Sequence, residues 1–137
     1  MPKVGEVLET SLYVEDLARS AEFYERVLHF NTIFGNERIV VLSVSGHQVL
    51  LLFRKKGSVE PTVFAGGTIP PTDGDGQIHV AFTISADEFE PWRDWLQGNG
   101  VDIESVVAWD LGGRSLYFRD PDRHVVELAT PGVWPVY

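Results

Sequence analysis

Hydrophobic and polar positions follow the same order twice along the chain. Each half begins with a stretch typical of a β-strand, residues 7–14 and 77–84, followed by an aspartate suited to cap a helix, Asp16 or Asp87. Asp87 with Glu90 three residues later resembles a capping box. Apolar side chains then recur on one helical face: Leu17, Ala21, Tyr24 and Leu28 in the first half, Phe89, Trp92 and Leu96 in the second. The pattern predicts one amphipathic helix in each half.

Short apolar runs with strand character follow each helix. They are residues 31–34, 39–44 and 49–54 in the first half, and 101–109, 115–118 and 124–129 in the second. Glycine, asparagine or an Asp-Pro-Asp sequence separates most of them, as expected for turns. Each half is therefore predicted to be a βαβββ module, and the shift of about 70 residues between the halves indicates a duplication.

The repeat defines the domain organisation that we predict. Module one occupies residues 5–58, a Gly- and Pro-rich linker loop residues 59–76, and module two residues 77–131, all within one domain spanning residues 1–137. The fold class is α+β. The apolar tail, residues 132–137, is expected to dock on the body of the protein or on a second subunit.

Composition excludes several classes of function. With 137 residues and 44% hydrophobic content, the chain can bury one core. It has neither an apolar run near 18 residues nor a signal peptide, so we expect no membrane partner. The absence of cysteine fits a cytoplasmic protein. The net charge of −9 argues against nucleic acid as a partner. Since the chain has no cysteine, any metal must be held by histidine and carboxylates.

A carboxylate, Glu127, interrupts the last apolar run. Burying it is costly unless it is paired or binds a metal, whereas on the outer side of a strand it would simply face water. Glu9 and His79 occupy matching positions in the first strands of the two modules. If the two sheets curl around a common cleft, these three side chains could converge there. The alternative for His79 is a hydrogen-bonded core histidine.

The chain resembles the vicinal oxygen chelate superfamily, which includes glyoxalase I, fosfomycin-resistance enzymes, extradiol dioxygenases and bleomycin-binding proteins. The segments SLYVEDLARSAEFYERVLHF and GRSLYFRDPDRHVVEL carry the resemblance. It implies that two βαβββ modules form an open, cup-shaped mixed sheet with the helices outside. It also implies a divalent metal (Mn, Ni, Zn, Fe or Mg) held by the first and last strands, at positions that correspond here to Glu9, His79 and Glu127.

Two positions depart from the pattern of the family. The first-strand ligand is usually His, or Gln in some glyoxalases, whereas this chain has Glu9. The position of the glyoxalase I glutamate corresponds, by strand order, to Leu51, which cannot bind metal. One histidine and two carboxylates differ from the two-His, one-carboxylate site of iron dioxygenases, which argues against O₂ chemistry.

The motif GGRSLYFRDPDRHVVEL is most similar to that of the fosfomycin-resistance type, whose Ser and Tyr contact an anionic phosphonate. The matching residues are Ser115 and Tyr117, and strand alternation places Arg119 on the same face. Arg119 either binds the substrate anion or pairs with Asp120 or Asp122. Together with these three residues, Ser11, Tyr13 and Trp109 are candidates for substrate binding, and Glu9 and Tyr117 are candidate catalytic residues.

We therefore expect a small metal-dependent enzyme that acts on a small polar or anionic molecule by lyase, isomerase or epoxide-opening chemistry. The metal would act as a Lewis acid. The alternative is a metal-free protein that sequesters a ligand, similar to bleomycin-binding members. The resemblance and the apolar tail lead us to expect a homodimer. His124 alternates with Glu127 and should point away from the cleft, in a structural role.

Overall fold

The computed structural model describes residues 1–137, which form two compact units, Met1–Gly76 and Gln77–Tyr137. Each unit contains a four-stranded mixed sheet and one α-helix of at least ten residues. The predicted α+β class with two βαβββ modules is confirmed. None of the helices is long and apolar enough to cross a membrane.

Unit one contains the helix and strands predicted for the first module and an additional hairpin. Its elements are β1 (Glu9–Val14), α1 (Leu17–Leu28), β2 (Asn31–Gly35), β3 (Ile39–Val44), β4 (Gln48–Arg54), β5 (Thr62–Phe64) and β6 (Gly67–Ile69). The sheet order is β1-β4-β3-β2, with β1 and β4 parallel. As predicted, Asp16 caps α1, since its carboxylate accepts the N–H of Arg19 at 3.0 Å. The hairpin β5–β6 lies in the segment that we predicted as a loop without secondary structure.

Unit two repeats this topology. Its elements are β7 (His79–Thr83), α2 (Phe89–Gly98), β8 (Ser105–Ala108), β9 (Arg114–Arg119) and β10 (Val125–Ala129). The sheet order is β7-β10-β9-β8, with β7 and β10 parallel. The capping role predicted for Asp87 is wrong. Asp87 lies within a 3-10 turn, Ala86–Glu88, so its backbone is helical, whereas a helix cap requires extended backbone.

One face of each sheet forms a core with the helix of its own unit. The buried strand residues are Leu12, Val14, Leu42, Leu50 and Leu52 in unit one, and Val80, Leu116, Phe118, Val126 and Leu128 in unit two. In unit two, the guanidinium of Arg114 stacks on Phe89 of α2, which identifies the helix-covered face. Alternation therefore places Glu127 on the opposite face of its sheet.

The strand register makes the two sheets directly comparable. In unit one, Ser11 lies opposite Leu51, two residues beyond Glu9. In unit two, Ala81 lies opposite Glu127, two residues beyond His79. Leu51 is therefore the counterpart of Glu127, as strand order predicted.

The C-terminal tail folds back onto unit two. The phenol of Tyr137 donates to the carbonyls of Ile84 and Ala129 at 3.0 and 3.2 Å. These carbonyls follow β7 and end β10, so the tyrosine ties the ends of two strands together. Trp134 and Val136 remain exposed.

Candidate active site

Glu127 is buried at the middle of the second sheet. Only 5% of it is exposed, so the alternative of a carboxylate that faces water is wrong. Its register partners are Tyr117 on β9 and Ala81 on β7. The small alanine side chain leaves the carboxylate accessible to residues of the neighbouring strands.

Three side chains bind this carboxylate. The hydroxyls of Ser115 and Tyr117 both donate to Oε1, at 2.5 and 3.0 Å. The Nε2 atom of His79 lies 3.0 Å from Oε2. A carboxylate is costly to bury unless it is hydrogen-bonded. These three partners therefore explain how an apolar strand can contain a glutamate.

Ser115 has no surface that a substrate could contact in this structure. It is completely buried, and its hydroxyl accepts the indole N–H of Trp109 at 2.8 Å while it donates to Glu127. Trp109, Ser115 and Glu127 thus form a continuous hydrogen-bonded chain. The geometry shows Ser115 as a support for Glu127, and the role in substrate binding assigned from the sequence stays a prediction.

The phenol of Tyr117 has a higher pKa than a free tyrosine. Burial raises the pKa of its phenol above the ordinary value, and the hydrogen bond to Glu127 raises the pKa further. The phenol is therefore protonated at neutral pH and available as a donor to Oε1. Its ring also lies beside the imidazole of His79, with ring centres 6.2 Å apart.

One ring nitrogen of His79 contacts Glu127, and about half of the His79 side chain is exposed to solvent. It is the first residue of β7, an edge strand, and 52% of its side chain is exposed, so the alternative of a core histidine is wrong. Its Nε2 and Oε2 of Glu127 are 3.0 Å apart. This distance is that of a hydrogen bond. Both atoms are of types that bind divalent metals, although no group of three His, Asp or Glu side chains that could hold a metal forms in the structure.

The other predicted metal ligand, Glu9, belongs to unit one. It is the exposed first residue of β1, and Ser11 and Tyr13 follow it on the same face of that strand. Tyr13 stacks on its register partner Phe53, with ring centres 5.5 Å apart. Gly74 lies against the Tyr13 ring so closely that a Cβ there would overlap it. Tyr13 is thus held within unit one.

Arg119 does not pair with the aspartates of the following turn, so the expected pairing with Asp120 or Asp122 is wrong. Its guanidinium holds both carboxylate oxygens of Glu104, at 2.6 and 3.1 Å, and donates to the carbonyl of Arg123 at 2.9 Å. The bidentate fork is a better partner for a carboxylate than a single contact. Arg119 in turn holds the pKa of Glu104 below its usual range.

The sequence of the chain is similar to those of several known proteins. A model of the Glyoxalase/Bleomycin resistance protein/Dioxygenase superfamily matches residues 6–128. The chain belongs to this superfamily. The metallothiol transferase FosB of Staphylococcus epidermidis is 31% identical over 119 residues, which cover 85% of this chain and 75% of that protein. FosB of Bacillus licheniformis is 28% identical over 122 residues, covering 88% of this chain and 72% of its own.

Solved structures of superfamily members have the same fold. A lactoylglutathione lyase from Agrobacterium tumefaciens matches with a TM-score of 0.87 and 26% identity, over 98% of this chain and 99% of that one. The fosfomycin resistance protein FosX from Listeria monocytogenes matches with a TM-score of 0.65 and 21% identity, over 95% and 94%. The resemblance to the superfamily and to its fosfomycin-resistance-type members is therefore confirmed.

Two contacts near the site were not anticipated. Glu104 was not among the predicted site residues, although pairing of the predicted strands 101–109 and 115–118 about the Gly112-Gly113 turn would place it near Arg119. His124 is buried, 1% exposed, and its Nδ1 accepts the backbone N–H of Ile78 at 3.0 Å. Its partner could not be identified from periodicity, because the two residues are far apart in sequence.

Proposed function

We propose that this protein is a divalent-metal-dependent enzyme that acts on a small polar or anionic substrate. The observation that carries the proposal is the contact between His79 and the buried carboxylate of Glu127. An imidazole and a carboxylate at this spacing offer two donors to a cation. A bound metal supplies Lewis-acid polarisation of a substrate oxygen. The resemblance also predicts Glu9 as a ligand, and no group of three histidine or carboxylate side chains that could hold a metal forms in the structure.

The residues around Glu127 determine which of its oxygens is available. Oε1 is occupied by the hydroxyls of Ser115 and Tyr117, whereas Oε2 is directed toward His79. Hydrogen bonds of this kind fix the orientation of a metal-binding carboxylate. Ser115 and Tyr117 would therefore present one oxygen of Glu127 beside the imidazole. Tyr117, which is half-buried, also remains the candidate catalytic donor.

Transfer of a thiol to a small electrophile is the reaction that we favour. The supporting observation is the 31% identity to a metallothiol transferase over 85% of the chain. Because the chain has no cysteine, the thiol must come from a separate small molecule. A lyase reaction is the second candidate, supported by the TM-score of 0.87 with a lactoylglutathione lyase. Against it, Leu51 stands where the resemblance to glyoxalase I would place a glutamate.

Metal titration tests the proposal. Protein treated with EDTA would be titrated by calorimetry with Mn²⁺, Ni²⁺, Zn²⁺ and Mg²⁺, and then assayed with a small thiol and fosfomycin or with a hemithioacetal. We expect one metal per chain, with His79→Ala abolishing both binding and turnover. His47→Ala, which removes an exposed histidine of the β3–β4 turn, should match the wild type. Absence of metal binding together with turnover that EDTA does not affect would overturn the proposal.

A metal-free ligand-binding protein is a distinct alternative. In its favour, both carboxylate oxygens of Glu127 have hydrogen-bond partners within the protein, so neither oxygen requires a cation as a partner. A thermal-shift screen of metabolites and antibiotics, with and without EDTA, separates the two functions. Stabilisation that survives EDTA indicates sequestration, whereas stabilisation that requires metal indicates the enzyme.

We also propose that the protein is a homodimer. Trp134 and Val136 leave apolar surface exposed on the tail, although Tyr137 docks within its own unit. Sedimentation at micromolar concentration should give twice the chain mass of 15.3 kDa. A single species at the chain mass would refute the dimer.

A further inference from the structure

A buried imidazole helps to hold the start of β7 against β10. Ile78, the residue immediately before His79, donates its backbone N–H to Nδ1 of His124 at 3.0 Å. Its carbonyl accepts the N–H of Val125 at 2.8 Å. Both polar backbone groups of Ile78 are thus attached to the start of β10. The lateral position of His79 follows from these two bonds.

Few other contacts could hold this end of β7. The strand lies at the edge of its sheet and pairs with β10 alone, in a ladder that starts at His79 and Val125. It is preceded by Gly76, whose φ of +81° is easily adopted only by glycine. Edge strands that follow a glycine-containing turn open more readily than central strands. The bond to His124 is therefore one of the few contacts that hold β7 to β10 at His79, together with the Val125–Ile78 hydrogen bond and the contact of His79 with Glu127.

The imidazole is fixed in both orientation and tautomer. A backbone N–H can only donate, so Nδ1 must accept and the ring proton of the neutral imidazole resides on Nε2. The backbone N–H of His124 donates to the carboxylate of Asp120 at 2.9 Å, and Asp122 donates to the same oxygen at 3.0 Å. Asp120 is itself buried, 3% exposed. The turn before β10 thus holds the imidazole, and the imidazole holds Ile78.

We propose that His124 is a positioning residue: by holding Ile78, it keeps His79 beside Glu127. His124 lies on the opposite side of the sheet from Glu127 and does not touch the reacting groups. Its contribution to metal binding rests on the proposed function. Its effect on the backbone of β7 does not, and the two can be measured separately.

Two substitutions distinguish positioning from bulk stability. His124→Leu fills a similar volume and removes the acceptor, whereas His124→Asn keeps an acceptor, Oδ1, close to the position of Nδ1. Leu96→Val serves as the control, because it loosens the buried face of α2 without touching Ile78. Amide hydrogen exchange measured by NMR reports on β7, and calorimetric titration with Mn²⁺ or Zn²⁺ reports on the metal site.

We expect His124→Leu to accelerate exchange by at least about tenfold, relative to the β9 amides, at Ile78 and at Val80, the next β7 amide that faces β10 in the parallel ladder. Metal affinity should fall roughly tenfold, the lower end of the effect of groups that orient a metal ligand. His124→Asn should restore most of both quantities, and Leu96→Val should change neither selectively. The proposal is overturned if His124→Leu leaves exchange at Ile78 unchanged, or if His124→Asn behaves like His124→Leu. Wild-type protein that binds no metal would contradict the proposed function, while the exchange data would still decide the role of His124.

Discussion

Replacing Ser115 by alanine tests the hydrogen-bonded chain beneath the candidate metal site. The substitution keeps the Cβ atom and removes one fully buried hydroxyl. That hydroxyl is the shortest donor to Glu127, at 2.5 Å, and the acceptor for the indole of Trp109, at 2.8 Å. Packing changes little, so the measured effect reports on the two hydrogen bonds.

The magnitude follows from the charge of the acceptor. A hydrogen bond to a charged group contributes about 1.5–3 kcal/mol, and Tyr117 still donates to the same oxygen after the substitution. We therefore expect Ser115→Ala to lower the free energy of unfolding by about 2 kcal/mol. With a urea slope of about 2 kcal/mol/M, the midpoint should shift by roughly 1 M.

A double-mutant cycle with Tyr117→Phe makes the test specific. Each single variant leaves one donor on Oε1, whereas the double variant leaves that buried oxygen with neither. The loss in the double variant should therefore exceed the sum of the single losses by about 1 kcal/mol or more. Urea unfolding followed by tryptophan fluorescence measures all four proteins. Additive losses, or a midpoint that does not move in Ser115→Ala, would refute the assignment of Ser115 as a support for Glu127.

Three further predictions address other parts of the structure. The pKa of Tyr117 is raised above 10.0 in the folded state. The contribution of its protonated phenol to the free energy of unfolding is therefore complete below pH 10 and is lost as the pH rises through the folded-state pKa. Absorbance at 295 nm should show one fewer late-titrating phenol in Tyr117→Phe than in the wild type. Arg119→Gln should leave the affinity for an anionic ligand unchanged, because Glu104 occupies the guanidinium; a clear loss by calorimetry would support the substrate role predicted from the sequence. Leu51→Glu should destabilise the protein by roughly 3–5 kcal/mol in urea unfolding at neutral pH, since it buries a carboxylate without partners; a neutral effect would show that the position can accommodate charge.

Periodicity predicted most of the fold because the modules alternate regularly. The helices and the strands of both sheets were recovered, since each presents one apolar face to a core. The β5–β6 hairpin was missed because three-residue strands are too short to show alternation, and the glycines between them also indicate a loop. Asp87 was misassigned because a 3-10 turn and a capped helix start share the same composition.

The face of each candidate residue was predictable, but its partner was not. Alternation correctly grouped Ser115, Tyr117 and Arg119 on one face of β9. The register between β9 and β10 places Tyr117 opposite Glu127 and makes Ser115 a diagonal neighbour of Glu127. This register is set by the geometry of the turn between the strands. Arg119 is on the predicted face, yet its long side chain reaches Glu104 at the strand end. Such contacts depend on rotamers and loop paths that no sequence pattern specifies.

Only the second sheet has hydroxyl side chains at the positions that contact a buried carboxylate. By register, Leu51 corresponds to Glu127 and Val41 to Tyr117. The position that corresponds to Ser115 is Ile39, so the first sheet has no hydroxyl at either place. A partly satisfied polar network is less stable than an apolar one, and a glutamate at Leu51 would therefore require both hydroxyls as well. The three positions differ together, all apolar in one module and all polar in the other, and the two hydroxyls on Oε1 leave Oε2 of Glu127 directed toward His79.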